Sequence, residues 1–243
     1  MNTNVTLGEK PIRILLHGAT GRMGQSVLRL AAGQPGYQVV GAVAHRVSQR
    51  VIDGIPQFSA SELHGAPPFD VAIDFSLPGA FGGVLATCLE HGAGLVSGTT
   101  GLSESDVAAM TAAASRIPII WSSNFSLGVA VLASLVERAA RALPGWDCDI
   151  IEAHHAGKRD APSGTALTLG DAIASTGATP RYASIRAGDI VGDHTVQFAT
   201  DGERLELIHR ASNRDIFARG ALHAAGWLAH RQPSLYTLRD VVG

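Results

Sequence analysis

The chain is short of the features that would tie it to a membrane, to nucleic acid or to an oxidising compartment. No run of eighteen apolar residues occurs, so nothing in it reads as a membrane span. Charged residues make up only 16%, and 19 Lys+Arg against 21 Asp+Glu leave a net charge of −2. Without a basic excess there is little to neutralise a phosphate backbone, which argues against nucleic acid as a main partner. The two cysteines, Cys88 and Cys148, lie sixty residues apart with no Cys-x-x-Cys pair and no zinc spacing. Buried free thiols in a reducing cytoplasm are the expectation. Residues 1–10 are polar, lack the apolar core of a secretory signal and read as a short disordered lead-in.

What the chain does have is enough apolar material, 46% of 243 residues, to bury one large core or two small ones. Residues 11–16 form an apolar run that reads as a strand buried on both faces. Helical spacing follows over residues 23–32, and residues 36–44 are β-rich, so the first 35 or so residues after the lead-in make one βαβ unit. Further strands are predicted at 70–75, 94–97 and 118–121, with helices at 79–90 and 104–115 between them. Such alternation predicts a parallel sheet with helices on both faces and ligands at the carboxyl ends of the strands. Beyond Asn124 the pattern changes to a helix at 127–142, a strand at 148–153, a helix at 165–174 and a β-rich stretch over 182–208. This reads as a second, α+β domain with an open antiparallel sheet. Residues 222–230 return to helical spacing.

The turn after the first strand reads Gly18-Ala19-Thr20-Gly21-Arg22-Met23-Gly24. Glycines there let the backbone approach a pyrophosphate at a helix N-terminus, where free N–H groups and the dipole attract anions. A tight turn without a ligand is the alternative, and the βαβ context favours the dinucleotide. The second strand ends in His45-Arg46 with no carboxylate close by. A base at that point accommodates the 2′-phosphate of NADP, whereas an acid would take the ribose hydroxyls of NAD, so NADPH is preferred over NADH. Gly98-Thr99-Thr100 and Ser122-Ser123-Asn124-Phe125 follow later strands and offer donors for a nicotinamide carboxamide, although ordinary helix caps would look the same.

The most informative stretch runs from Glu152 through His154-His155-Ala156-Gly157-Lys158 to Pro162-Ser163-Gly164-Thr165. Ser163, Gly164 and Thr165 sit where helix N-terminal N–H groups would cradle a carboxylate, and Lys158 adds a point charge. A histidine beside them can protonate the carbanion-like site left by hydride addition. The paired histidines lack a third ligand at metal spacing, so no metal site is expected.

This segment resembles the signature of the dihydrodipicolinate reductase family, also called 4-hydroxy-tetrahydrodipicolinate reductase. The Gly18–Gly24 turn, Asp74-Phe75-Ser76, Gly98-Thr99-Thr100-Gly101, Ser123-Asn124-Phe125-Ser126 and the stretch from Arg186 to Thr195 are similar to that family in the same order, over residues 12–241. The resemblance implies an α/β fold: a Rossmann-like doubly wound parallel sheet plus a smaller α+β substrate and oligomerisation domain with an open mixed sheet. The nucleotide domain would be residues 1–126, rejoined by 214–243, and the substrate domain residues 127–213. It implies NAD(P)H-dependent reduction of a small dianionic heterocycle to tetrahydrodipicolinate, on the diaminopimelate route to lysine, by a cytoplasmic homotetramer whose domains close on their ligands. His154 would be the general acid and Lys158 its charged partner. His155, Lys158, Ser163, Gly164 and Thr165 would hold substrate carboxylates. Gly21, Arg22 and Met23 would lie by the pyrophosphate, Arg46 by the adenosine ribose, and Gly98, Thr100, Ser123 and Phe125 by the nicotinamide. Many members carry an acid in place of His45, and some carry a base in place of Leu77. The linker over 174–181 is short for the family.

Two rival readings remain at this point. Another amino-acid-pathway dehydrogenase could share the nucleotide half but has no need of the His-His-Lys cradle. A non-catalytic NADP(H) sensor on the same fold would bind cofactor without turnover.

Overall fold

The computed structural model describes residues 10–243, so the lead-in expected over residues 1–10 lies, but for Lys10, outside the described residues. The chain divides into two compact units. One extends up to Phe125 and resumes over Phe217–Val241; the other is Ser126–Ile216.

The first unit is built on β1 (Ile12–His17), α1 (Arg22–Ala32), β2 (Tyr37–Ala44), β3 (Val51–Ile52), β4 (Ile55–Ser59), a 3-10 turn (Ala60–Gly65), β5 (Val71–Asp74), α2 (Pro78–His91), β6 (Gly94–Ser97), α3 (Glu104–Ala113) and β7 (Pro118–Trp121). The second unit follows with α4 (Leu127–Ala142), β8 (Asp147–His154), α5 (Gly164–Ala174), β9 (Arg181–Arg186), β10 (Gly192–Thr200) and β11 (Glu203–Ala211). Helix α6 (Asp215–Leu228) carries the chain back to the first unit, which ends with β12 (Ser234–Tyr236) and α7 (Leu238–Val242). No helix among the described residues is long and apolar enough to cross a membrane.

The strands of the first unit order as β12-β7-β6-β5-β1-β2-β4-β3. All neighbours run parallel except the two-residue β3, which pairs antiparallel with β4. The apolar runs are continuous because both faces are covered. Leu15, Ala72, Leu95 and Ile119 pack against Phe81, Val84, Leu85 and Cys88 of α2 and Met110 of α3. Alternation turns Ile14, Leu16, Ile73, Val96 and Ile120 the other way, and each of them is fully buried too. Strand order turns at β1, with β2 on one side and β5 on the other, so the crevice beyond its carboxyl end is where a ligand fits such a sheet.

That end is organised by a buried carboxylate. Asp74, at the end of β5, accepts from His17 Nδ1 (2.9 Å), Ser97 Oγ (2.8 Å), Thr99 Oγ1 (2.8 Å) and the Ser76 N–H (3.1 Å). Burial pushes its pKa up, but the His17 hydrogen bond and charge, with Ser76 and Ser97, outweigh that and hold it below the usual carboxylate range. The loops after β1, β5 and β6 are thereby tied to one atom pair.

In the second unit the strand order is β11-β10-β8-β9. The antiparallel sheet read from the β-formers needs correcting: β10 is antiparallel to β8 and β11, but β8 and β9 are parallel, so the sheet is mixed. The reason is α5, which occupies the connection between β8 and β9 as a crossover helix and returns the chain in the same direction. Helices α4 and α5 cover one face, burying Leu132, Val136, Leu169 and Ile173 against Cys148, Ile150, Val196 and Phe198. Both cysteines are free and buried, one in each unit.

Asp74→Ala leaves the neighbouring donors without an acceptor in a buried site. It is expected to lower unfolding free energy by about 3–5 kcal/mol, read from the urea midpoint. A loss below about 1 kcal/mol would show that the carboxylate does not organise this end.

Candidate active site

The turn between β1 and α1 has the geometry its glycines suggested. Gly18 adopts φ +81°, and a Cβ there would lie 2.5 Å from the Phe75 carbonyl oxygen. A side chain at Gly24 would collide with the Gly18 carbonyl, so the turn and the helix approach each other only through glycine. Helix α1 begins after Gly21 with no side-chain cap and no acid in its first turn. The N–H groups of Arg22, Met23 and Gly24 therefore lack an intrahelical acceptor and face an uncompensated positive dipole end, a donor set that suits a pyrophosphate. Arg46 is exposed just beyond β2, beside exposed His45.

The loops after β6 and β7 are more constrained. Thr99 is buried and its hydroxyl is engaged by Asp74, while its carbonyl accepts from Trp121 Nε1 at 2.9 Å. Ser122 Oγ donates to the Asn124 carbonyl (2.8 Å) and accepts from the Asn124 N–H (3.2 Å). These two hydroxyls shape their loops, which leaves Thr100 and Ser123 as the exposed hydroxyls of the two loops. Phe125 is buried edge-on to Phe75, with ring centroids 5.8 Å apart. Leu77, where a base was noted in relatives, is 76% exposed at the start of α2.

The second unit carries the His-His-Lys segment at the end of β8 and the start of α5. Glu152 and His154 are two residues apart on a strand, so both side chains point to the covered face. The Glu152 carboxylate lies 2.5 Å from His154 Nδ1. On its other side it accepts both Arg186 nitrogens, at 2.7 Å to Oε1 and 2.9 Å to Oε2. Burial raises its pKa, but Arg186, Ser184 and His154 together bring it down to about 2. Arg186 also donates to the Asp160 carbonyl at 2.6 Å, tying the loop to the strand. His154 keeps 11% side-chain exposure, and its Nδ1 is the nitrogen that Glu152 engages.

Lys158 Nζ lies 2.9 Å from both Asp160 oxygens, and Asp160 is 61% exposed. Ser163 caps α5, accepting from the Ala166 N–H at 3.2 Å, and the first turn with Gly164 and Thr165 holds no acid. Arg214 approaches His155, with Nη2 at 3.4 Å from Nε2. Within this unit His154, His155, Lys158, Ser163, Gly164 and Thr165 are thus set by one strand end, one loop and one helix start.

Sequence reasoning gave no role to Glu152, Arg186, His194 or His209. The i, i+2 spacing of Glu152 and His154 was the available signal for the first. The others depend on register: Glu152 pairs with Ser184 on β9 and with His194 on β10, and His194 pairs with His209 on β11. The covered face therefore carries a polar row, Ser184–Glu152–His194–His209, across all four strands. Among the described residues no group of three or more His, Cys, Asp or Glu is arranged to hold a metal ion.

His194 is pushed down to about 4, first by burial and then by the charges of His154, His209 and Lys158, with Glu152 opposing. The unfolded chain takes up this proton near 6.5 and the folded chain only near 4, so the stability His194 lends above 6.5 is lost as pH falls through that window. His194→Phe has no such proton to bind. Urea unfolding at about pH 7 and about pH 4.5 should show the variant losing less stability on acidification than the wild type. A wild-type-to-variant difference that stays constant with pH would contradict it.

Two sequence families match the chain: "Dihydrodipicolinate reductase, N-terminus" over residues 12–125 and "Dihydrodipicolinate reductase, C-terminus" over residues 128–242. The 4-hydroxy-tetrahydrodipicolinate reductase of Xanthomonas campestris pv. campestris (strain B100) is 65% identical over 233 residues, covering 96% of this chain and 98% of the relative. The enzyme of the same name from Stenotrophomonas maltophilia (strain R551-3) is 64% identical over 238 residues, covering 97% of this chain and all of the relative. Among solved structures, the dipicolinate-bound dihydrodipicolinate reductase of Paenisporosarcina sp. TG-14 superposes with a TM-score of 0.84 at 23% identity, covering 95% of this chain and 99% of that one, which establishes a shared fold. The chain belongs to the dihydrodipicolinate reductase family.

Proposed function

We propose that this protein reduces 4-hydroxy-tetrahydrodipicolinate to tetrahydrodipicolinate in the diaminopimelate route to lysine, taking one hydride and one proton and releasing one water. The observation that carries the proposal is near-complete coverage by relatives of that name at 65% identity, together with a histidine held by a buried carboxylate beside a helix N-terminus. The nicotinamide cofactor supplies the hydride when bound. Gly18, Gly21, Arg22 and Met23 would hold its pyrophosphate at the uncapped start of α1, and Gly98, Thr99, Thr100, Ser122, Ser123, Asn124 and Phe125 would form the loops at its nicotinamide end. Arg46, exposed beyond β2, would lie by the adenosine ribose and would favour NADPH, since the sequence offers no acid beside it to repel a 2′-phosphate.

Glu152 accepts from His154 Nδ1 and so leaves Nε2 as the atom that delivers a proton to the carbon skeleton. Lys158 exchanges its exposed partner Asp160 for a substrate carboxylate. His155, Ser163, Gly164 and Thr165 receive the carboxylates, with the α5 dipole adding to the attraction. Arg214, beside His155, adds positive charge to the same unit. Nucleotide and substrate domains are assigned to residues 1–126 with 214–243 and to 127–213. A cytoplasmic setting agrees with the two buried, free cysteines. A homotetramer formed through the second unit's sheet is supported by its uncovered face. There the register lines up Ala183, Ile151, Thr195 and Ile208 in a row, with Ile208 45% and nearby Ile185 49% exposed.

The test is a coupled assay in which dihydrodipicolinate synthase, pyruvate and aspartate semialdehyde generate the substrate while NADPH or NADH absorbance is followed. Rapid oxidation, faster with NADPH, is expected. Lys158→Ala should lower kcat severely with the fold intact, and Arg46→Ala should raise KM for NADPH roughly tenfold while hardly moving that for NADH. No oxidation by a folded protein that binds NADPH would shift the assignment to a sensor or another substrate. An unchanged kcat in Lys158→Ala would remove that residue from the site.

A further inference from the structure

His194 lies in the polar row but belongs to none of the roles above. The residue is 3% exposed, and its ring sits edge-on to His154, with centroids 5.2 Å apart. Nε2 is 3.2 Å from Ser163 Oγ, while Nδ1 is buried with no hydrogen-bond partner. Ser163, itself 1% exposed, already accepts from the Ala166 N–H through the same Oγ.

Hydrogen counting at Ser163 then separates the two tautomers of a neutral His194. With the proton on Nδ1, that nitrogen is a buried donor without an acceptor, and Nε2 takes the serine O–H. The hydroxyl would then have no hydrogen left for an acceptor-only carboxylate. With the proton on Nε2, the imidazole donates to Ser163 Oγ and no buried N–H is left unpaired. Both lone pairs of Oγ are then filled, by Ala166 N–H and His194 Nε2–H, and its only remaining function is to donate.

We propose that His194 is a positioning residue that fixes the Ser163 hydroxyl as a hydrogen-bond donor, and so selects a carboxylate oxygen over any group that must itself donate. This rests on the reading of Ser163 as a carboxylate ligand. The depressed pKa of His194 keeps the ring neutral, with one proton and one tautomer to choose, at neutral pH. Of the charged groups around it, His154, His209 and Lys158 disfavour a second proton and Glu152 favours one.

The experiment uses the full-length enzyme with NADPH, and pyridine-2,6-dicarboxylate as the binding probe. His194→Gln places an amide N–H near the position of Nε2; His194→Asn places one near Nδ1, out of reach of Ser163. His194→Asn should weaken dicarboxylate binding and raise substrate KM roughly tenfold or more. Its kcat and its KM for NADPH should stay within about threefold of wild type. His194→Gln should recover most of the affinity, a difference that a packing role alone would not produce. Ser163→Ala should weaken binding by a similar factor, and adding His194→Asn to it should cost little more.

A two-bond 1H–15N spectrum of the wild type gives an independent reading and needs no variant to fold. The Nε2–H tautomer is expected for His194, and an Nδ1–H signature would overturn the proposal. Equal affinities for the Gln and Asn variants, with Ser163→Ala weakened, would also overturn it while leaving the proposed function standing. An unaffected Ser163→Ala would instead remove Ser163 from the substrate site and take this proposal with it.

Discussion

The second unit depends on keeping one carboxylate ionised in a place where burial favours its neutral form. Glu152 stays charged because a guanidinium engages both of its oxygens and an imidazole and a hydroxyl add to them. Arg186 in turn reaches the Asp160 carbonyl, so the same ion pair sets the path of the loop that carries Lys158. The strand end, the loop and the orientation of His154 are consequences of one satisfied charge. Removing Arg186 would leave the buried Glu152 carboxylate with only His154 and Ser184 to hold its charge.

The first unit solves a similar problem with different donors. Asp74 is also buried, but it collects hydroxyls, a backbone N–H and a histidine instead of an arginine. Its role is to hold three loops at the carboxyl end of a parallel sheet, which is where the α1 dipole is exposed. In each unit polar atoms gather at strand ends while apolar side chains fill the middle of the sheet, and both carboxylates are fully hydrogen-bonded.

Much of the scaffold was legible because its strands are apolar runs with punctuation and its longest helix has a clear 3.6-residue period: strands Gly94–Ser97 and Pro118–Trp121 and helix Leu127–Ala142 have the bounds their sequence implies. Strand Ile55–Ser59 was not seen, since Pro56 and Gln57 interrupt it and it gains its status from pairing with β2. Helix α6 begins seven residues before the periodic pattern at 222, taking in Ala218, Gly220 and Ala221, which are buried but too small to stand out as an apolar stripe. The site divides in the same way. Residues contiguous in the chain, from His154 to Thr165, could be read as one cradle. Glu152, His194 and His209 are brought together only by strand register, which no local pattern encodes. Thr99 and Ser122 looked like ligand donors from their positions, but local hydrogen bonding engages both hydroxyls.

The two cysteines offer a use that their burial creates. Burial pushes the Cys88 thiol far up, and that of Cys148 up to about 11, so neither presents a thiolate to an electrophile at neutral pH. Alkylation must therefore wait for the backbone around each sulfur to open. Since Cys88 sits in one hydrophobic cluster and Cys148 in the other, peptide-resolved alkylation rates would time the opening of the two halves separately in a single sample.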